Sequence, residues 1–401
     1  MTARTGDESP SRRRRILVSA YACGPGDEPE ASAGWAFAQA AARDADVWII
    51  TRTRFSAALR RALNDEPGLA THITVTELDL SPAIQRFKRG APGVYWYYAL
   101  WQNAFVRRAR KLHRELGFDV VHHVTFANDW MPAGAARLDI PLVWGPVGGS
   151  SRVPLGRTAK WLGLRGFITE LARIPLTGIP RALFGDAAAR RASVVIAQNP
   201  DVAHRFRNSR HVIVEPNAAF RVERESTPRD PRTAVLVARL LAWKGGRIAI
   251  AALAEPGLED WRLEIFGDGY ERRRLEVLAR RLGVAERVDF HGHRPRAEVL
   301  AALRRATVLA FPSLHDQAGW AAAEASALGC PVVCFPLGGP PTLAERNGTV
   351  VALGGDLART FATGILDAAR AGGSPHDRWS PDRLPAVVAS WYNLATGRAS
   401  A

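Results

Sequence analysis

The chain has few cysteines, few methionines and no long apolar run. Three cysteines, Cys23, Cys330 and Cys334, stand among 401 residues. A sparse, odd count excludes a disulfide framework and suits a reducing compartment. Cys330 and Cys334 bracket a short apolar segment with no histidine at zinc-finger spacing, so they read as small buried hydrophobes. No stretch reaches the roughly 18 apolar residues that a membrane-spanning helix needs. The opening MTARTGDESPSRRRR is polar and lacks the apolar core of a signal peptide, so residues 1–15 are expected to form a disordered basic tail. Lysine is scarce too: the 54 basic residues are mostly arginine and outnumber the 39 acidic ones, for a net charge of +15. That balance favours anionic partners such as nucleoside diphosphates, anionic lipid or nucleic acid. A GC-rich coding composition explains part of the arginine, and no nucleic-acid-binding motif is present.

Hydrophobic content of 47% with 23% charged residues describes an ordinary globular protein. At this length two domains are expected. Short apolar runs alternate with helical stretches from Ile16 onward, and this predicts parallel sheets. The first half contributes runs at 16–20, 47–51, 73–78, 118–124, 141–147 and 192–198. The second contributes runs at 234–239, 261–267, 288–292, 308–311 and 331–335.

One stretch organises the second half: FPSLHDQAGWAAAEASALGCPVVCFPLGG, residues 311–339. It reads as strand end, polar loop, alanine-rich helix stopped by Gly329, then a strand closed by Gly338-Gly339. Asp316 lies on the loop and Glu324 on the helix, with seven residues between them. A helix opening behind a glycine offers unpaired N–H groups to an anion, which leaves two carboxylates for hydroxyls. Further upstream, Arg239 and Lys244 flank a strand-to-helix turn, where two cations suit a diphosphate.

The acid-x7-acid stretch and the Arg239/Lys244 pair resemble the donor site of retaining GT-B glycosyltransferases, family 4 in particular. The resemblance covers about residues 16–395 and is sharper in the second half. It implies an α/β GT-B fold with two Rossmann-like domains whose parallel sheets face a central cleft. It divides the chain into an acceptor domain at 16–205, a nucleotide-sugar domain at 206–380 and a helix at 381–401 crossing back to the first domain. It implies a metal-independent hexosyltransferase that uses no cofactor, only a nucleotide diphosphate sugar as donor, and retains anomeric configuration in glycan or polysaccharide synthesis.

By residue, the resemblance places Asp316 on the donor sugar and Glu324 on the ribose. Asp316 stands where the family usually has Glu, one methylene longer, so the sugar contact is shifted. Arg239 and Lys244 would hold the diphosphate. Gly319 and Trp320 open the donor helix, and Gly267 belongs to a nucleotide-side turn. In the first half, Gly34 would let the diphosphate approach the backbone, because a side chain there would block it. A histidine at the end of the 118–124 strand would approach the sugar. His122 and His123 both stand there, and His123 is favoured. Asn128, Asp129 and Trp130 follow on the acceptor side.

The acceptor is expected to be a glycan or a lipid-linked sugar, in the cytoplasm at or near the inner face of the membrane. Two stretches bear on membrane contact. Tyr95, Trp96, Tyr97, Tyr98 and Trp101 stand among basic residues at 83–114, as either an interfacial face or an aromatic core face. Residues 151–184 are basic and apolar with several prolines. Two other functions fit the same residues. A nucleotide-sugar epimerase of similar fold would release free sugar without an acceptor, and a non-catalytic binder would hold the donor without consuming it.

Overall fold

The computed structural model describes residues 12–26, 28–88, 90–223 and 227–397. The predicted basic tail falls on residues 1–15, of which 1–11 lie outside the described residues. Residues 14 and 15 are already strand, because Arg14 and Arg15 pair in register with Ala45 and Asp46.

Two parallel sheets carry the molecule. The first has seven strands: β1 (Arg14–Ala20), β2 (Ala45–Thr51), β3 (Ile73–Glu77), β4 (Val120–Thr125), β5 (Leu142–Val147), β6 (Val194–Ala197) and β7 (Val212–Val214), in the order β3-β2-β1-β4-β5-β6-β7. The second has six: β8 (Thr233–Val237), β9 (Arg262–Phe266), β10 (Val288–Gly292), β11 (Val308–Phe311), β12 (Val332–Cys334) and β13 (Gly348–Val350), in the order β10-β9-β8-β11-β12-β13. Every pairing is parallel. In both sheets the order reverses beside the first strand, between β1 and β4 and between β8 and β11. Ligands of doubly wound sheets bind in the crevice outside the strand ends at such a point. The first sheet runs to Val214, past the expected limit at 205, because the apolar run Val212–Val214 pairs with β6 as an edge strand.

Both faces of each sheet are covered, which is why the central strands are apolar throughout; all six residues of β4 and of β5 are buried. On one face of the first sheet, helix Pro29–Ala42 packs with the last helix, Leu384–Thr396. Trp391 of that last helix lies 5.7 Å from the Phe37 ring, and the Tyr392 hydroxyl bonds His122 Nδ1 at 3.0 Å. The last helix thus crosses back from the second domain to finish the first core. On the other face the 27-residue helix Gly90–Leu116 supplies Tyr97, Tyr98 and Trp101, all fully buried. Of the two readings left open for that aromatic cluster, the core one holds for these three rings. Three of its five rings are core, and the Trp101 indole donates to Leu78 O at 2.7 Å.

Residues 151–184 fold into helix Leu155–Pro180 and one π-helical turn, Arg181–Gly185. The helix breaks at Gly163, whose φ of 60° and ψ of 175° are not helical. Although it follows β5, it packs on the second domain: Leu162 joins the second core, and a side chain at Gly166 would meet Ala242 Cβ at 2.5 Å.

Candidate functional site

The ends of β8 and β11 bring the expected donor residues together. After β8 the chain passes Arg239 and a 3-10 turn, Ala242–Lys244, into helix Gly246–Ala252. Gly245 makes this turn possible. Its φ is 75°, and a Cβ there would lie 2.0 Å from Pro312 O, so the turn packs directly on the loop after β11. That contact aims Lys244 at Asp316, and Nζ lies 2.5 Å from Oδ2 with both side chains largely buried. Two residues 72 positions apart thus form an ion pair at the switch point of the second sheet. Arg239 is exposed beside them, and its side chain has no partner among the described residues.

The Asp316 loop is held by glycine contacts. A side chain at Gly338, whose φ is 65°, would strike Asp316 O at 1.9 Å; one at Gly339 would strike Ala318 O at 2.3 Å. Gly339 N donates to Asp316 O at 3.2 Å. Gly319 begins helix Trp320–Ala327 with a left-handed backbone at φ 86°. The Trp320 indole donates to Asn217 Oδ1 at 3.0 Å, tying the helix start to the segment between the sheets.

Glu324 is buried, and Oε1 accepts from Arg296 Nε at 2.7 Å. Burial raises its pKa and the Arg296 charge opposes that rise. Its second oxygen has no hydrogen-bond partner among the described residues, and Arg296 Nη2 is buried without one. Sequence reasoning missed Arg296. It opens the helix after β10, 28 residues before Glu324, and no local pattern marks it.

The expectations for the β4 histidines and for Gly34 change. His123 does not face the cleft. It is fully buried, with Nδ1 on Ser19 Oγ at 2.9 Å and Nε2 on Tyr98 Oη at 3.2 Å. His122 is equally enclosed, between Tyr392 and Gly145 O. Both lie before the end of β4, paired with Val18 and Ser19. Burial lowers the His122 pKa to about 4 and that of His123 to about 3, so both rings are neutral at pH 7. Gly34 lies within helix Pro29–Ala42, where a Cβ would meet Ala22 O at 2.5 Å; it lets the helix close on the end of β1 rather than opening the backbone to a ligand. Gly267, expected on a nucleotide-side turn, follows β9 and packs against Ala238 O, 1.9 Å from where its Cβ would sit.

The first domain meets this site along the Asp316 loop. Gln317 Oε1 accepts from Gly149 N at 2.5 Å, and Gln317 O accepts from Asn199 Nδ2 at 2.9 Å. His315 Nδ1 lies 3.0 Å from Glu170 Oε2. Next to these contacts a recess of about 100 Å³ is lined by Trp130, Arg152, Arg173, Ile174, Arg181 and His315, among others. Asp129 is buried against Arg181 at 2.7 Å and Ser150 at 2.5 Å, so it fixes the recess wall instead of lining it. Among the described residues no group of three or more His, Cys, Asp or Glu gathers to hold a metal.

Residues 220–377, from the segment between the sheets through most of the second domain, match the family model for glycosyl transferases group 1. A 2-deoxystreptamine glucosyltransferase of Streptomyces kanamyceticus is 31% identical over 141 residues, 33% of this chain. That alignment spans about a third of the relative's length, 35%. A D-inositol 3-phosphate glycosyltransferase of Acidothermus cellulolyticus is 29% identical over 342 residues, covering 77% of this chain and 70% of that one. Among solved structures, sucrose-phosphate synthase from Thermosynechococcus elongatus superposes with a TM-score of 0.61 at 17% identity, covering 96% of this chain and all of that one. Anabaena Alr3699/HepE in complex with UDP superposes at 0.53 with 18% identity, covering 94% and 98%. These likenesses carry the fold. The chain is a two-domain α/β protein of the GT-B glycosyltransferase fold, with a group 1 glycosyl transferase match in its second domain.

Proposed function

We propose that the protein transfers a sugar from a nucleoside diphosphate sugar to a carbohydrate or lipid-linked acceptor, with retention of anomeric configuration. The observation that supports this most strongly is the Lys244–Asp316 pair at the switch point of the second sheet. Expelling a diphosphate from a sugar builds negative charge on phosphate oxygens. Fixed cations in a water-poor site stabilise that charge more than solvent does. Lys244 is such a cation, and Asp316 is its counter-ion until a donor arrives. The diphosphate would take over Lys244 with Arg239 beside it, which frees Asp316 to accept from the sugar hydroxyls. Glu324, with its open second oxygen, would take the ribose. In this scheme the protein's own cations supply the charge that a metal would otherwise provide. The recess between Trp130, Arg173 and His315 would admit the acceptor from the first domain's side.

A thermal-shift panel of nucleoside diphosphates and their sugars tests the donor site, because a ligand that binds only the folded state stabilises it by mass action. UDP and UDP-glucose come first, since a protein of the same fold is seen with UDP. Ligand at about 100 times Kd should stabilise the native protein by about 2.7 kcal/mol. Lys244→Ala and Glu324→Ala should each abolish the shift. An unchanged shift in both variants would remove the proposed pocket. Release of free sugar without acceptor would argue instead for an epimerase, and the anomeric proton coupling of a transferred product reads out retention.

A further inference from the structure

We infer that the outer face of helix Leu155–Pro180 and its π-helical extension docks on an anionic lipid surface. Past the break at Gly163, Leu164, Ile168, Leu171, Leu176, Ile179 and Leu183 are between 50% and 77% exposed. Their spacing of three to five residues puts them along one side of the helix. The opposite side is occupied: Gly166 closes on Ala242, Glu170 binds His315, and Arg173 stacks over Trp243 at 5.0 Å. An unpartnered aliphatic stripe of this length is unusual on a surface otherwise rich in arginine.

Charge identifies what covers it. Residues 152–191 carry eight Lys or Arg and two acids, Glu170 and Asp186. Glu170 is buried, and Asp186 is bound to Arg205. At the start of the stripe an open groove is lined by Lys160, Arg165, Tyr270, Arg273, Val277 and Arg281, among others. The Arg165 guanidinium lies 3.8 Å from the Tyr270 ring centroid. Lys160, Arg165, Arg273 and Arg281 have no carboxylate partner among the described residues. Aliphatic side chains bordered by unpaired cations match a bilayer surface, with the stripe at the acyl boundary and the cations on lipid phosphates. A second copy of this chain would set the same cations against one another. Ile174 of this helix also lines the recess beside His315, so a docked helix would hold that recess at the lipid surface.

The test is sedimentation of the full-length protein with vesicles of phosphatidylcholine containing one-third phosphatidylglycerol, without nucleotide, so the result is independent of donor binding. Binding is expected at low salt, falling as salt rises, and weak to pure phosphatidylcholine. Leu171→Glu/Ile179→Glu, both at exposed positions, should lower the partition coefficient by about tenfold or more. Lys160→Glu/Arg281→Glu should lower it by a similar factor on anionic vesicles only. Wild-type protein left in the supernatant at low salt would overturn the inference. So would wild-type partitioning by both variants, or a dimer in ultracentrifugation that Leu171→Glu/Ile179→Glu dissolves while no vesicle binding occurs. Binding to duplex DNA in place of vesicles would also overturn it.

Discussion

His122 and His123 show what a motif position leaves out. The sequence places two histidines at a strand end, where a catalytic role is natural. The register puts them one step too early, among Ser19, Tyr98 and Tyr392, where their work is structural. Their pKa values are lowered to about 4 and about 3 by burial, against about 6.5 in an unfolded chain. The unfolded chain therefore binds more protons between pH 6.5 and 3, and stability is lost as pH falls through that window. His122 contributes on the order of 3 kcal/mol to that loss and His123 on the order of 5 kcal/mol. His123→Gln should be less stable at pH 7, yet its stability should fall less steeply with acid than that of the wild type. Urea unfolding at pH 7 and pH 4.5 measures the difference; equal slopes would remove the buried neutral ring from the account. The residues expected at the donor site were more legible in their placement. Arg239, Lys244 and Asp316 each follow a strand that flanks the switch point, so naming the strands places the side chains. Arg296 was not legible, because its pairing with Glu324 depends on how two helices lie side by side.

At the scale of elements, most strands could be read directly, because both faces of a parallel sheet are buried and the runs are continuously apolar. The helix at 155–180 could not. Pro175 and Pro180 lie inside it and Gly163 breaks it, and local rules count such residues against a helix. Packing on the second domain outweighs that preference. The Asp316 loop is the element most open to a sharp test. Gly338 has φ 65° and Asp316 O stands where its Cβ would be, so alanine cannot enter without moving the loop. Gly338→Ala should cost about 1–2 kcal/mol for the left-handed backbone alone. By displacing the Asp316 loop it should also abolish the thermal shift proposed for nucleotide. Full binding with full stability would show that the glycine does not position the loop.

Across the whole molecule, contacts among the described residues hold the two sheets together, and three of them matter most here. Gln317 reaches Gly149 across the cleft, helix Leu155–Pro180 lies on the second domain, and helix Leu384–Thr396 returns to the first. Trp391 is buried against Phe37 and His122, in a core that apart from the last helix is built from residues before 220. Trp391→Ala should destabilise by about 3–5 kcal/mol, in the range for emptying a large aromatic site. The loss should appear in the first domain, so hydrogen exchange should quicken in Pro29–Ala42 before it does in Trp320–Ala327; uniform quickening would mean the domains unfold as one. The returning helix also sets an order of events on the ribosome. The first domain is synthesised first, yet the groove over Phe37 stays uncovered until the whole second domain has emerged. A nascent chain paused before Leu384 would present that apolar groove to chaperones and to its neighbours.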